Sequence, residues 1–431
     1  MNKVILRLSI PIIISNVSVP LLGMVDTALM GRMESEYYIG AVALGSLIFN
    51  FIYWGFGFLR MGTTGLTAQA YGRNDPKEIT AILVRGMLVA LGGSLILIIL
   101  QKTLSWVGFA LIPGENIVKS LGEQYFFIRI YAAPATLALY VFYGWFLGMQ
   151  NAKYPMILTV LVNLINIGFN VFFVTQLGMK SDGVALGTVC AQYMGLMAAV
   201  GLFAFKYWHH VKDYEKAIVL KIEPIKRFFS VNIDIFIRTI CLVFTFAFFT
   251  AVSSALGSLI LAANQILLQF ISLMAYGVDG FAFAAESLVG KYTGQRNRSK
   301  LKLAVHRLFL WGFGLGVMFA SVYGVFGRNL LFIFTDLQPV IQTASQYVWW
   351  LALIPLFGSV AYMWDGVYIG ATVTRPMRNM MLLSTLGVFL PVYALFVRLI
   401  GNHGLWLALM MFMIARGFSL TLISRKHIFK V

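Results

Sequence analysis

Two turns in this chain recur, little changed, in its second half. TAQAYGRND at 67–75 is echoed by VGKYTGQRN at 289–297, and FLGMQNAKYP at 146–155 by YIGATVTRPM at 368–377. The register is shared, because 294 minus 72 for one glycine pair and 370 minus 148 for the other both give 222. One half-molecule is used twice. Between the turns lie apolar runs of about 20 residues, each long enough to cross a bilayer at roughly 1.5 Å per residue. The chain is 60% hydrophobic and 11% charged, whereas a soluble domain carries about 25% charged residues. Lipid is the solvent for most of it.

Twelve spans are expected, at 4–30, 38–65, 80–101, 123–147, 155–177 and 183–205, then at 228–252, 258–290, 303–325, 343–370, 377–400 and 404–423. Six per half is an even number, so both halves enter the membrane in the same sense, as parallel repeats do. The expected fold is an all-α integral membrane protein with a first lobe over 1–205, a solvated connector over 206–227 and a second lobe over 228–431. The first run is too long for a signal core and is read as a retained span.

A net charge of +17 would suit a nucleic-acid partner in a soluble protein, but the basic residues fall in alternate loops. Lys206, Lys212, Lys216, Lys221, Lys226 and Arg227 crowd one, Lys291, Arg296, Arg298, Lys300 and Lys302 another, and Arg425, Lys426 and Lys430 the tail. The intervening loops hold isolated cations such as Arg32, Lys102 and Lys180. By the positive-inside rule the rich loops and both termini are cytoplasmic. The partner this charge implies is the bilayer of the inner membrane, with no nucleic acid. Cys190 and Cys241 lie inside spans and give no disulfide framework, and His209 with His210 makes a weak metal motif. No cofactor is expected.

Ionisable groups inside spans cost roughly 2.5–3.5 kcal/mol or more at the helix centre, so each requires a partner, a wet cavity or a function. Asp26 lies near the outer end of the first span without a basic residue at helical spacing. The fifth span, expected to run opposite to the first, carries Asn163, Asn166 and Asn170 on one stripe. Helix rise puts Asp26, Asn170 and Thr188 at similar depth. A polar cluster of Asp26, Asn166, Asn170 and Thr188, able to take a proton or a sodium ion, is the expected ion-coupling site; a structural network joining three helices is the alternative. Asn163 is a candidate substrate contact.

In the second half Asp234 precedes Arg238 by four residues, the favourable order for a pair within one helix. Asp279 and Glu286 share a helix face two turns apart. Glu286 is expected to snorkel or to meet Lys291, Asp279 to need a partner such as Arg238, and Asp365 to be explained equally by solvation near the interface or by function. Arg60 and Arg416 are expected to neutralise acids or bond carbonyls within the bundle. Together Asp234, Arg238, Asp279 and Glu286 form a candidate second-lobe polar site. No G-x-x-x-x-G-K-[ST], H-E-x-x-H or G-x-S-x-G occurs, so ATP-driven, zinc-dependent and serine-nucleophile chemistries lack their motifs. An ion gradient remains as the fuel.

MVDTALMGR in the first span, FLRMGTTGLTAQAYGRND after the second, FLGMQNAKYPM after the fourth, LAANQ at 261–265, DGFAFAAESLVG in the eighth and GNHGLWLAL near the twelfth resemble the multidrug and toxic compound extrusion family, in particular its DNA-damage-inducible (DinF-like) branch. The resemblance spans essentially the whole chain. It implies a twelve-helix MATE/MOP-type fold and a monomeric antiporter that exports amphipathic cationic small molecules in exchange for H+ or Na+. Asp26, Asn166 and Thr188 match the family's first-, fifth- and sixth-span site positions. Asn170 replaces a second acid found in some relatives, leaving Asp26 as the one titrating group of the cluster. Two rival readings are a lipid-linked oligosaccharide flippase of the same superfamily, which would favour a strongly basic cavity, and an intramembrane enzyme using Asp279 and Glu286 as acid and base.

Overall fold

The computed structural model describes residues 1–31, 35, 37–112 and 115–429. Arg32 and Lys430, two cations of the charge argument, lie outside the described residues. Among those described, regular structure is all helical. Twelve helices are long and apolar enough to cross a membrane: α1 Asn2–Met30, α2 Tyr37–Gly72, α3 Pro76–Ile99, α4 Asn116–Gly148, α5 Lys153–Gln176, α6 Ser181–His210, α7 Ile222–Ala255, α8 Ser258–Gly294, α9 Arg298–Leu331, α10 Val348–Gly370, α11 Thr374–Ile400 and α12 Asn402–His427. In hydrocarbon every backbone polar group has to be satisfied within the chain, which is why the apolar runs become helices. Shorter helices at Gln101–Leu111 and Gln338–Ser345 also form, which span counting does not anticipate.

The repeat extends to backbone conformation. Among the described residues, four other than glycine adopt positive φ: Asn74 at 54°, Arg296 at 52°, Gln150 at 61° and Thr372 at 52°. They are two pairs in the 222 register. Each closes a helix with a Schellman motif, in which the next residue's N–H reaches back five positions: Asp75 to Ala70 O at 3.1 Å, Asn297 to Tyr292 O at 3.1 Å, Asn151 to Phe146 O at 2.9 Å and Val373 to Tyr368 O at 3.0 Å. The helices that follow the first pair are capped alike, Asp75 Oδ1 accepting from Glu78 N at 3.1 Å and Asn297 Oδ1 from Lys300 N at 3.0 Å. Helix crossings recur as well. A methyl at Gly144 would strike the Arg60 carbonyl, and one at Gly366 would strike the Ala282 carbonyl, again 222 residues on. Glycine at these places lets backbones meet at small-residue contacts.

Residues 14–228 form one compact unit, and residues 1–13 with 229–431 form another. In the first, α2 packs on α4, α4 on α3 and α5 on α6; in the second, α8 and α9 pack on α10, α10 on α12 and α11 on α12. The start of α1 belongs to the second unit, where Ile13 and the Ser9 carbonyl lie against Gly280. The connector is exposed over most of its length, as at Lys206, Lys212, Lys216 and Lys221, but it is not unstructured: Trp208–Asp213 and Lys216–Val219 are helical turns, His210 and Val219 are buried, and α7 already begins at Ile222. His210 packs edge-on against Trp145 and tilts against Tyr207.

Candidate functional site

The first unit brings together the polar residues that helix rise put at one depth. Asn170 Nδ2 donates to Asp26 Oδ1 at 2.7 Å and to Asn166 Oδ1 at 3.0 Å. Asn166 Nδ2 donates to Thr188 Oγ1 at 3.0 Å, and that hydroxyl donates to Val184 O at 3.0 Å. Asn166 and Asn170 are buried and Asp26 is half-buried. The amides are thus fixed in orientation, with both Asn170 N–H bonds committed and its donor side turned to the carboxylate. Gly187 makes the contact possible, since a methyl there would overlap Asn170 Oδ1.

Asn163, the third amide of the stripe, donates to Ser18 Oγ at 3.0 Å and to Ser18 O at 3.3 Å. Ser18 with Asn163 and Asp26 with Asn170 rise in number together along both helices, so α1 and α5 are parallel. The expected opposite direction is corrected by parity, because odd-numbered spans cross in the sense of the first.

Arg129 is an intramembrane cation of the fourth span. Its Nη1 donates to Ser46 Oγ at 2.9 Å and to Tyr125 OH at 2.5 Å. The guanidinium also lies over the Phe49 ring at 4.9 Å, a cation–π contact. Arg60 contributes its carbonyl, which accepts from Thr64 Oγ1 at 2.8 Å.

The second unit pairs its charges differently from the sequence expectation. Asp234 does not pair with Arg238; it accepts from Arg378 Nη1 at 2.7 Å and from Thr374 Oγ1 at 2.8 Å. Arg238 instead donates to Asp365 Oδ2, which also accepts from Arg416 Nη2 at 2.6 Å. An exposed pair within one helix is worth only about 0.3–0.5 kcal/mol, so buried charge-assisted bonds between helices take precedence. Asp365 is 5% exposed and Arg416 1%, correcting the solvated reading of Asp365. Arg416 does neutralise an acid. Glu286 is 2% exposed and therefore does not snorkel; α10 crosses its backbone closely, where Gly370 meets its carbonyl. Asp279 is half-buried.

The family description MatE matches residues 11–172 and 235–395, once in each half. "DNA damage-inducible protein F" of Escherichia coli (strain K12) is 36% identical over 429 residues, covering 99% of this chain and 92% of that protein. "Multidrug resistance protein NorM" of Vibrio vulnificus (strain CMCP6) is 23% identical over 419 residues, 94% of this chain and 90% of that one. A solved structure described as "Crystal structure of MATE in the bent conformation" is similar with a TM-score of 0.90 at 18% identity, over 99% of this chain and 95% of that chain.

Proposed function

This chain belongs to the MatE family of membrane transporters, which are not enzymes, and from that premise we propose that it is a secondary active multidrug antiporter exporting amphipathic cationic compounds in exchange for protons by alternating access. The supporting observation is the 2.7 Å bond from Asn170 Nδ2 to Asp26 Oδ1. A bound sodium ion would need oxygens facing it, and here the amide turns its N–H to the carboxylate. A proton needs only the carboxylate. In the outward state Asp26 takes a proton and loses its charge, weakening a charge-assisted bond to an ordinary one and loosening the contact of α1 with α5. Pro11 and Pro20 are points at which α1 tolerates bending. The substrate cation then has no counter-charge and leaves outward. In the inward state the proton departs and the carboxylate attracts the next cation. Asn163 in the first unit and, separately, Asp234, Arg238, Asp279 and Glu286 in the second are proposed polar residues for substrate or structure. The protein acts as a monomer in the inner membrane, with both termini cytoplasmic.

Purified protein in liposomes, given a fluorescent organic cation, tests the coupling. A pH gradient without sodium is expected to drive accumulation, and a sodium gradient at equal pH is not. Transport driven by sodium alone would overturn the proton assignment, and transport indifferent to both gradients would overturn antiport.

A further inference from the structure

Arg85 and Arg307 occupy the same register of the repeat, yet Arg85 is 4% exposed and Arg307 is exposed. What covers Arg85 is the connector between the halves. Its Nε donates to Val219 O at 2.9 Å and its Nη2 to Ile218 O at 2.5 Å, while Nη1 meets Glu78 Oε1 at 2.8 Å. Those two carbonyls lie at the end of the helical turn Lys216–Val219; Ile218 O also accepts from Lys221 N at 3.3 Å, and the guanidinium supplies a charged donor to each carbonyl. One guanidinium therefore caps the connector and is itself held by an acid on its own helix.

Two further bonds hold the same segment. Thr80 Oγ1, one turn earlier on α3, shares its one hydrogen between His210 O at 2.9 Å and Pro76 O at 3.0 Å. Lys77 pairs with Glu215 on the surface, a contact worth at most about 1 kcal/mol. None of these residues is kept in the copy: Thr80 corresponds to Lys302, Glu78 to Lys300 and Lys77 to Ser299. The chain then enters α7, whose first turns still belong to the first unit: Arg227 Nη2 donates to Gln69 Oε1 on α2 at 2.7 Å. The chain passes between units at 228–229, within α7, as it does at 13–14 within α1.

We propose that Arg85 is a positioning residue that makes residues 206–228 a fixed part of the first unit, so that the transport cycle bends the chain inside α1 and α7 and not in the connector. This goes beyond the proton assignment and does not depend on which ion is coupled. It rests on the family's transport activity alone.

Backbone hydrogen exchange of the full-length protein in lipid nanodiscs reads the docking, and drug transport in liposomes reads its consequence. Amides of 208–221 are expected to be protected in the wild type. Arg85→Gln should speed their exchange by roughly tenfold or more, the loss of bonds to a charged donor, with α2 and α4 unchanged. Its maximal transport rate should fall while half-saturation stays constant. Arg85→Lys should not rescue either readout, since an ammonium lacks the planar fork that spans two carbonyls and a carboxylate. Arg307→Gln should alter neither. Should Arg85→Gln fail to fold, Thr80→Val should loosen 208–213 in the same direction by a smaller factor. The proposal is overturned by an unprotected wild-type connector, by exchange that is unchanged in these variants, or by a loosened connector with an undiminished transport rate. A protein driven by sodium would leave this outcome unaffected.

Discussion

Asp26 in the first unit and Asp365 in the second are both carboxylates inside apolar spans, but their partners differ in charge. Asp26 accepts from the neutral amide of Asn170, whereas Asp365 Oδ2 is shared by the guanidiniums of Arg238 and Arg416. Neutralising Asp26 strands no cation bonded to it. Removing the charge of Asp365 would leave two buried arginines without their shared counter-ion. The first arrangement suits a group whose charge changes during a cycle, and the second suits a group that holds α7, α10 and α12 together. Neither cluster has a counterpart in the other half: Asn170, Asn166 and Thr188 correspond to Val392, Val388 and Met410, and Asp365, Arg238 and Arg416 to Tyr143, Asn16 and Met194. Duplication kept the turns and close helix crossings while the polar chemistry diverged.

This contrast predicts graded effects on stability, measured as thermal or denaturant unfolding in a constant detergent. Asp365→Asn should be the most damaging, by about 3–5 kcal/mol, because it breaks a buried ion pair from one side. A loss below roughly 1 kcal/mol would show that the arginines are compensated elsewhere and would break the comparison. Gly187→Ala should cost about 1–3 kcal/mol through overpacking against Asn170, and should slow transport by displacing the amide from Asp26. Normal transport in that variant would separate the amide from the coupling step. Asp26→Asn should cost least, within about 1.5 kcal/mol, since an amide oxygen can still accept the Asn170 bond.

Much of this was legible because helices are regular. A rise of about 1.5 Å per residue was enough to put Asp26, Asn170 and Thr188 at one level, and the 222-residue register located turns whose left-handed residues then matched in pairs. The pairing of charges was not legible. Asp234 passes over Arg238, four residues away, for Arg378, 144 residues away, because its choice depends on which helix packs beside it. The docked connector was hidden for another reason: Arg85 and Thr80 bond to main-chain carbonyls, and every residue has one. Polar composition over 206–227 reads as solvated chain, and most of its side chains are exposed, but it gives no sign that the carbonyls of His210, Ile218 and Val219 are held.

The central claim is that a single carboxylate in the first unit couples transport to the gradient. Its most direct test is uptake of a fluorescent organic cation into liposomes containing wild type or Asp26→Asn, with a pH gradient imposed and folding verified by unfolding curves. The account predicts gradient-driven accumulation by the wild type and none above empty liposomes by a folded Asp26→Asn. Full accumulation by that variant would contradict it.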